Sequence, residues 1–224
     1  MDKLIEIAEA VKKIQSGCTL MIGGFGQGGS PRNLIAALAE SGVRELHTIS
    51  DDLGVTSRGF NQTISQLVEN GQISSAKCCF IGQNPDAGRK YIKGELDIEF
   101  IPIGTMAERI RAGGSGIGGF YTKTGVDTLA ARGKEVRIID GEKYVFEKPL
   151  RADVAIIKAF RADRYGNAVF RYSAQNYNAV MATAADVVIL EAEEVVDAGE
   201  IHPDEVQLPG IFIDYVVCER GDVL

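Results

Sequence analysis

The first apolar residues recur at helical spacing. Leu4, Ile7, Ala8, Val11 and Ile14 fall on one face and predict an amphipathic helix over residues 3–15, stopped by Gly17. Thr19-Leu20-Met21-Ile22 is a continuous apolar run closed by glycines and predicts a buried strand. Ser30-Pro31 opens the next helix, with Ser as N-cap and Pro at the first helical position. Leu34, Ile35 and Leu38 continue it, and Gly42 ends it. Residues 46–49 and 76–81 predict strands, with a helix over 64–68 between them stopped by Gly71. Residues 98–101 predict a further strand, and 105–112 a helix opened by a Thr105 to Glu108 capping box. Residues 136–139 and 143–146 flank Asp140-Gly141 and predict a β-hairpin. Strands over 154–159, 187–191 and 211–217 follow, with a turn at Tyr165-Gly166-Asn167 and a helix over 179–185 among them. Such alternation implies the α/β class, a mostly parallel sheet with helices on both faces. No repeat, linker or low-complexity tract divides the chain, so one domain over residues 1–224 is expected.

Charge and composition narrow the function classes. Lys plus Arg is 24 and Asp plus Glu is 31, a formal charge of −7, which argues against a nucleic-acid or anionic-membrane partner. No run approaches the ~18 apolar residues of a membrane span, and no secretory leader is expected, since no basic segment leads into an apolar run after Met1-Asp2-Lys3. A cytoplasmic location with reduced thiols is expected, since Cys18, Cys78, Cys79 and Cys218 contain no C-x-x-C pair. His47 and His202 stand in no metal-binding pattern, and no metal is expected. The acidic run Glu191-Ala192-Glu193-Glu194 reads as a solvated face. Glycine, at 26 residues, is in excess and clustered, at residues 23–29 and 113–119. Such clusters mark places where backbone approaches a neighbour or ligand closely.

The first cluster supports two readings. Gly24-x-Gly26-x-x-Gly29 matches a dinucleotide fingerprint, with a strand before it, a helix after it and Asp51 about twenty residues on. On that arithmetic alone the chain is a nicotinamide-dependent oxidoreductase, and a metabolite sensor on a similar fold is a further alternative. The wider string is more specific. Ser16-Gly17-x-x-Leu20-Met21-Ile22-Gly23-Gly24-Phe25-x-x-x-Gly29-x-Pro31 resembles the signature of family I coenzyme A transferases, departing from it only at Ser16, where the family has Asp or Asn. Asn84-Pro85-Asp86-x-Gly88-Arg89, Glu108-Arg109-Ile110-Arg111-Ala112-Gly113-Gly114, Tyr121-Thr122-x-Thr124-Gly125 and Arg151-Ala152-Asp153 look like the same family. So do Gly166-Asn167, Glu191-Ala192-Glu193-Glu194-Val195-Val196 and Pro209-Gly210, in family order. The set is most similar to the α-type chains of bacterial acetate/butyrate–acetoacetate CoA-transferases.

The resemblance implies a CoA-transferase-like (Rossmann-like) fold and a ping-pong transfer of CoA between a short-chain acyl-CoA and a free carboxylate. It implies no permanently bound cofactor, with coenzyme A and acyl-CoA as substrates. It places the nucleophilic glutamate on a β subunit, so that no catalytic residue is expected in this chain and a hetero-oligomer of α2β2 type is. Glu69-Asn70-Gly71 imitates the nucleophile's surroundings, but reads as the exposed last turn of a helix. Residues Gly23, Gly24, Phe25, Gly26, Gln27, Gly28 and Gly29 are the expected CoA-binding segment. Asp51, Asp52, Phe80 and Ile103 are the expected acyl-facing positions, where many relatives carry Asn-Asn, a Tyr and a Gln. An acidic pair without the amide and phenol disfavours dicarboxylates and suits a small monocarboxylate.

Overall fold

The computed structural model describes residues 2–26, 28–56 and 63–219. Chain order begins with helix α1 (Ile7–Val11), strand β1 (Thr19–Ile22), helix α2 (Arg32–Glu40), strand β2 (Leu46–Ile49), helix α3 (Ser65–Glu69) and strand β3 (Ile73–Cys78). Helix α4 (Pro85–Lys93), strand β4 (Asp97–Phe100) and helix α5 (Ile103–Gly114) follow. A small antiparallel sheet then forms from β5 (Phe120–Thr122), β6 (Val136–Ile139) and β7 (Glu142–Glu147), in the order β5-β7-β6. The chain returns with β8 (Ala152–Asp163), β9 (Ala168–Val169), α6 (Asn178–Ala182), β10 (Ala185–Val196) and β11 (Tyr215–Cys218).

The main sheet has the order β11-β10-β8-β1-β2-β3-β4, parallel throughout, with β9 antiparallel on β8. Alternation along β1 explains the two layers that cover it. Leu20 and Ile22 face one side, where Leu34, Ile35, Leu38, Leu67, Val68 and Ala87 bring in α2, α3 and α4. Met21 faces the other, packed with Met106 and Ile110 of α5 and Met181 of α6. The expected parallel sheet with helices on both faces is the observed one. No helix among the described residues is long and apolar enough to cross a membrane.

Several expected boundaries shift, each for a physical reason. Residues 3–5 pair along the sheet edge rather than starting a helix, with Ile5 N–H donating to the Val216 carbonyl and Val216 N–H to Lys3. Tertiary pairing there overrides the helical pattern, and α1 covers only Ile7–Val11. Residues 211–217 split, because Gly210–Phe212 form a 3-10 turn before β11. Residues 76–81 also begin and end elsewhere, as β3 runs from Ile73 to Cys78. Residue 185 opens β10 rather than closing the preceding helix. The Thr105 capping box does not form, since Pro102 precedes α5 and Thr105 Oγ1 is buried without a partner. The hairpin forms as expected, with Asp140 and Gly141 at positive φ between Ile139 and Glu142. Helix α4 was not expected from the pattern. Asn84 caps it by accepting from the Ala87 amide, Pro85 starts it and left-handed Gly94 ends it.

Candidate functional site

The sheet order reverses beside β1. From β1 the chain moves outward through β2, β3 and β4, and then returns to lay β8 on the opposite side of β1. Ligands of open α/β sheets bind beyond the carboxyl ends of the strands at such a switch point. The segment after β1 at that position is the first glycine cluster; Gln27 lies outside the described residues.

The loop is a tight turn in which Phe25 and Gly28 exchange two backbone hydrogen bonds of 3.0 Å. Gly24, Gly26 and Gly29 have φ of 118°, 56° and 71°, conformations that side chains disfavour. Gly23 is required for a different reason: a Cβ there would lie 1.9 Å from Asn178 Oδ1. Asn178 is fully buried and fastens the loop. Its Nδ2 donates to the carbonyls of Gly29 at 2.9 Å and Ala174 at 2.8 Å, and its Oδ1 accepts from the Lys158 amide at 2.9 Å. Asn176 Nδ2 donates to the Gly28 carbonyl at 3.0 Å. Peptide planarity then turns the N–H groups of Gly29 and Ser30 away from these asparagines.

Beyond the loop opens a cleft of about 450 Å³, lined by Gly28, Gly29, Lys158, Phe160, Arg171 and Glu193 among others. The Arg171 guanidinium lies 3.4 Å from the Phe160 ring centre. Lys158, in the floor, bonds Glu191 at 3.2 Å and Glu219 at 2.7 Å. Glu191 is completely buried, so the reading of residues 191–194 as a solvated face fails at its first residue. Its Oε2 accepts the Leu34 amide at 2.9 Å, which supplies α2 with the N-terminal acceptor expected from Ser30. Burial pushes the Glu191 carboxyl up, and the Lys158 ammonium opposes that.

Under the loop lie the two aspartates that follow β2. Asp52 Oδ2 accepts from the Gly26 amide at 3.0 Å and Oδ1 from Gly54 at 2.7 Å, so this side chain braces the glycine loop. Asp51 is 6% exposed and its Oδ1 has no partner. Burial first, and the Asp52 charge second, push its carboxyl up to about 6. Neither acid is the open ribose ligand that a dinucleotide site needs. Phe80 and Ile103 are half exposed, Phe80 just after β3 and Ile103 at the start of α5, which follows β4. Phe80 forms a bridge with Asp52 and lays its ring over Gly82, while the Ile103 carbonyl accepts the Tyr177 hydroxyl at 2.9 Å. The Cys79 thiol sits 3.8 Å from that hydroxyl. The four expected acyl-facing residues therefore share the carboxyl edge of the sheet with the glycine loop.

Two other features lie apart. Glu69 is exposed at the end of α3, where the chain enters β3 at the amino edge of the sheet. In the second glycine cluster, Gly113 and Gly114 allow close packing: a Cβ on Gly113 would meet the Leu150 carbonyl at 1.9 Å, and one on Gly114 the Thr183 hydroxyl at 2.2 Å. Sequence reasoning missed Lys158, Asn176, Tyr177, Asn178 and the role of Glu191. A signal for one pair existed, since Lys158 and Glu191 are opposite charges inside apolar strand runs and stand in register.

Comparison with known proteins shows the family to which the chain belongs. A family profile described as coenzyme A transferase matches residues 4–219. The alpha chain of the acetate CoA-transferase of Escherichia coli (strain K12) is 42% identical over 218 residues, 97% of each chain. The A-type chain of the succinyl-CoA:3-ketoacid coenzyme A transferase of Xanthomonas campestris pv. campestris (strain ATCC 33913) is 50% identical over 204 residues, 91% of this chain and 83% of its own. Among solved structures, the thioester complex with CoA of an acyl-CoA transferase from Escherichia coli O157:H7 superposes with a TM-score of 0.87 at 24% identity. That likeness covers 99% of this chain and 48% of the solved one, so this chain spans about half of that structure.

Proposed function

This chain belongs to the coenzyme A transferase family and is a CoA-transferase of the α-chain type, and we propose that it acts as the α subunit of a two-subunit enzyme moving CoA between short-chain acyl-CoA and free carboxylates. The acids would be of the acetate, butyrate and acetoacetate type. The observation that carries the reading is the glycine loop at the switch point, a stretch of backbone pinned from beneath by Asp52, Asn176 and Asn178.

The proposed route runs in two halves. A glutamate carboxylate supplied by the β subunit first attacks the thioester carbonyl, forms an acyl anhydride and releases CoA thiolate. The thiolate attacks the glutamyl carbonyl, giving a glutamyl-CoA thioester and the first free acid. The second acid reverses both steps, so CoA changes carrier without hydrolysis and the glutamate is restored. This chain's part is to hold backbone N–H groups rigidly near the developing oxyanion or the CoA arm, where fixed donors cost no reorganisation. Of its own acids near the loop, Asp52 is committed to two amides and Glu191 and Glu219 to Lys158. The Asp51-Asp52 pair makes a second carboxylate on the acyl group unfavourable and so supports monocarboxylates over succinate.

Co-expression with a β-type chain and assay across short acids tests the reading. The expected result is transfer only with the partner present, with hydroxylamine-sensitive acylation of a glutamate in that partner. Acylation of Glu193 or Glu69 in this chain, or transfer by this chain alone, overturns it.

A further inference from the structure

The crevice beneath the glycine loop is lined by Gly23, Gly24, Gly26, Ser50, Asp51 and Thr63 among others, with about 20 Å³ of room, enough for one water-sized group. Asp51 presents a buried oxygen to these surroundings with no partner of its own. Buried polar atoms are almost always satisfied, so an orphan beside a candidate site calls for a role. We propose that Asp51 determines acyl selectivity: its neutral carboxyl donates a hydrogen bond to an oxo group on the acyl chain, and its ionised form repels that group. The inference deepens the function proposed above and rests on it.

The chemistry follows from the two forms of one side chain. A neutral carboxyl has an O–H donor, whereas a carboxylate only accepts. A 3-oxo group only accepts, so it is matched by the first form and opposed by the second. A plain alkyl chain is nearly indifferent to the change. Each group that faces Asp51 is accounted for. Asp52, on the same loop, is occupied by the amides of Gly26 and Gly54. Cys79, after β3, is pushed up to about 12 and Tyr177, before α6, is also pushed up, both chiefly by burial. Thiol and phenol therefore keep their protons between pH 5.5 and 8. The Gly26 amide, from the glycine loop, does not titrate and favours the ionised form. Burial and Asp52 together outweigh it and the larger opposing effect of a hydrogen bond from the Cys79 thiol, and bring Asp51 to about 6, inside that range.

The test uses the assembled two-subunit enzyme with acetyl-CoA as fixed donor. The ratio of kcat/KM for acetoacetate to that for butyrate is measured from pH 5.5 to 8, in the wild type and in Asp51→Asn. In the wild type the ratio is expected to fall roughly tenfold as pH rises, following loss of the neutral form. In Asp51→Asn, whose amide keeps an N–H donor at every pH, the ratio stays near its low-pH value. A flat wild-type ratio overturns the inference, and so does an unchanged fall in the variant. Should the variant fail to assemble, the wild-type profile decides alone. Transfer with a flat ratio overturns only this inference; no transfer to any short acid overturns the proposed function as well.

Discussion

At the scale of single residues, the strongest physical conflict is Asp51. Its folded pKa of about 6 lies above the ordinary 3.8, so between those values the folded chain holds a proton that the unfolded chain has released. Stability therefore falls as pH rises through that window, and the deficit is complete above it. Asp51→Asn is expected to stabilise the purified chain by about 2 kcal/mol at pH 7.5, with the gain vanishing near pH 4. Melting curves across that range check both the size and the sign. Glycines offer a second residue-scale contrast. Gly23→Ala drives a methyl into Asn178 and is expected to cost roughly 2–4 kcal/mol, while Gly88→Ala, inside α4 with nothing within 4 Å, gains up to about 1 kcal/mol. Chemical denaturation of the two variants separates the cases. The sequence made Gly23 conspicuous because glycine clusters are visible as letters. Asn178 was not legible, because its importance comes from meeting a loop about 150 positions away in the chain.

At the scale of elements, charge links the small sheet to the large one. Arg109 of α5 bonds Glu99 of β4 at 2.7 Å, lies 3.7 Å from Glu147 of β7, and donates to the Lys148 carbonyl at 2.8 Å. Lys77 of β3 joins Glu99 and Lys134 joins Glu147. Both Arg109 and Glu147 are buried, so the pair stabilises only while complete. Arg109→Met is expected to destabilise by about 3 kcal/mol, and Glu147→Gln to cost less when added to it than alone, since Glu147 then has only Lys134 left to lose. A double-mutant cycle by urea unfolding measures the coupling. The same scale shows what a pattern can and cannot announce. Strands β1, β2 and β4 and helix α2 carried apolar periodicity and stood where expected, within a few residues. Helix α4 has only Ala87 buried, so it shows its caps, Asn84-Pro85 and Gly94, but no apolar stripe. Helix α1 failed in the opposite way: its stripe was present, but residues 3–5 found backbone partners on β11.

At the scale of the molecule, a parallel sheet has two unlike edges, and function is expected at one. Each crossover helix runs back against the strands, so loops that follow strands and loops that follow helices lie at opposite ends. The glycine loop, Asp51, Asp52, Phe80 and Ile103 all follow strands. Glu69 follows the body of a helix, and its neighbours are structural: Asn70 Nδ2 donates to the Ala39 carbonyl and Lys90 to the Glu69 carbonyl. The Glu-Asn-Gly triplet thus has the letters of a nucleophile's setting at the wrong end of the sheet, a strand's length from the loop. Letters alone left that ambiguous, because local sequence does not say which end of a layer it occupies. Topology removes the ambiguity and gives a sharp expectation. Glu69→Gln in the assembled enzyme should leave kcat for CoA transfer within about twofold of the wild type, since an exposed last-turn side chain contributes little beyond solvation. A fall of several orders of magnitude in the same assay would place the attacking carboxylate in this chain and reverse the assignment of the two edges.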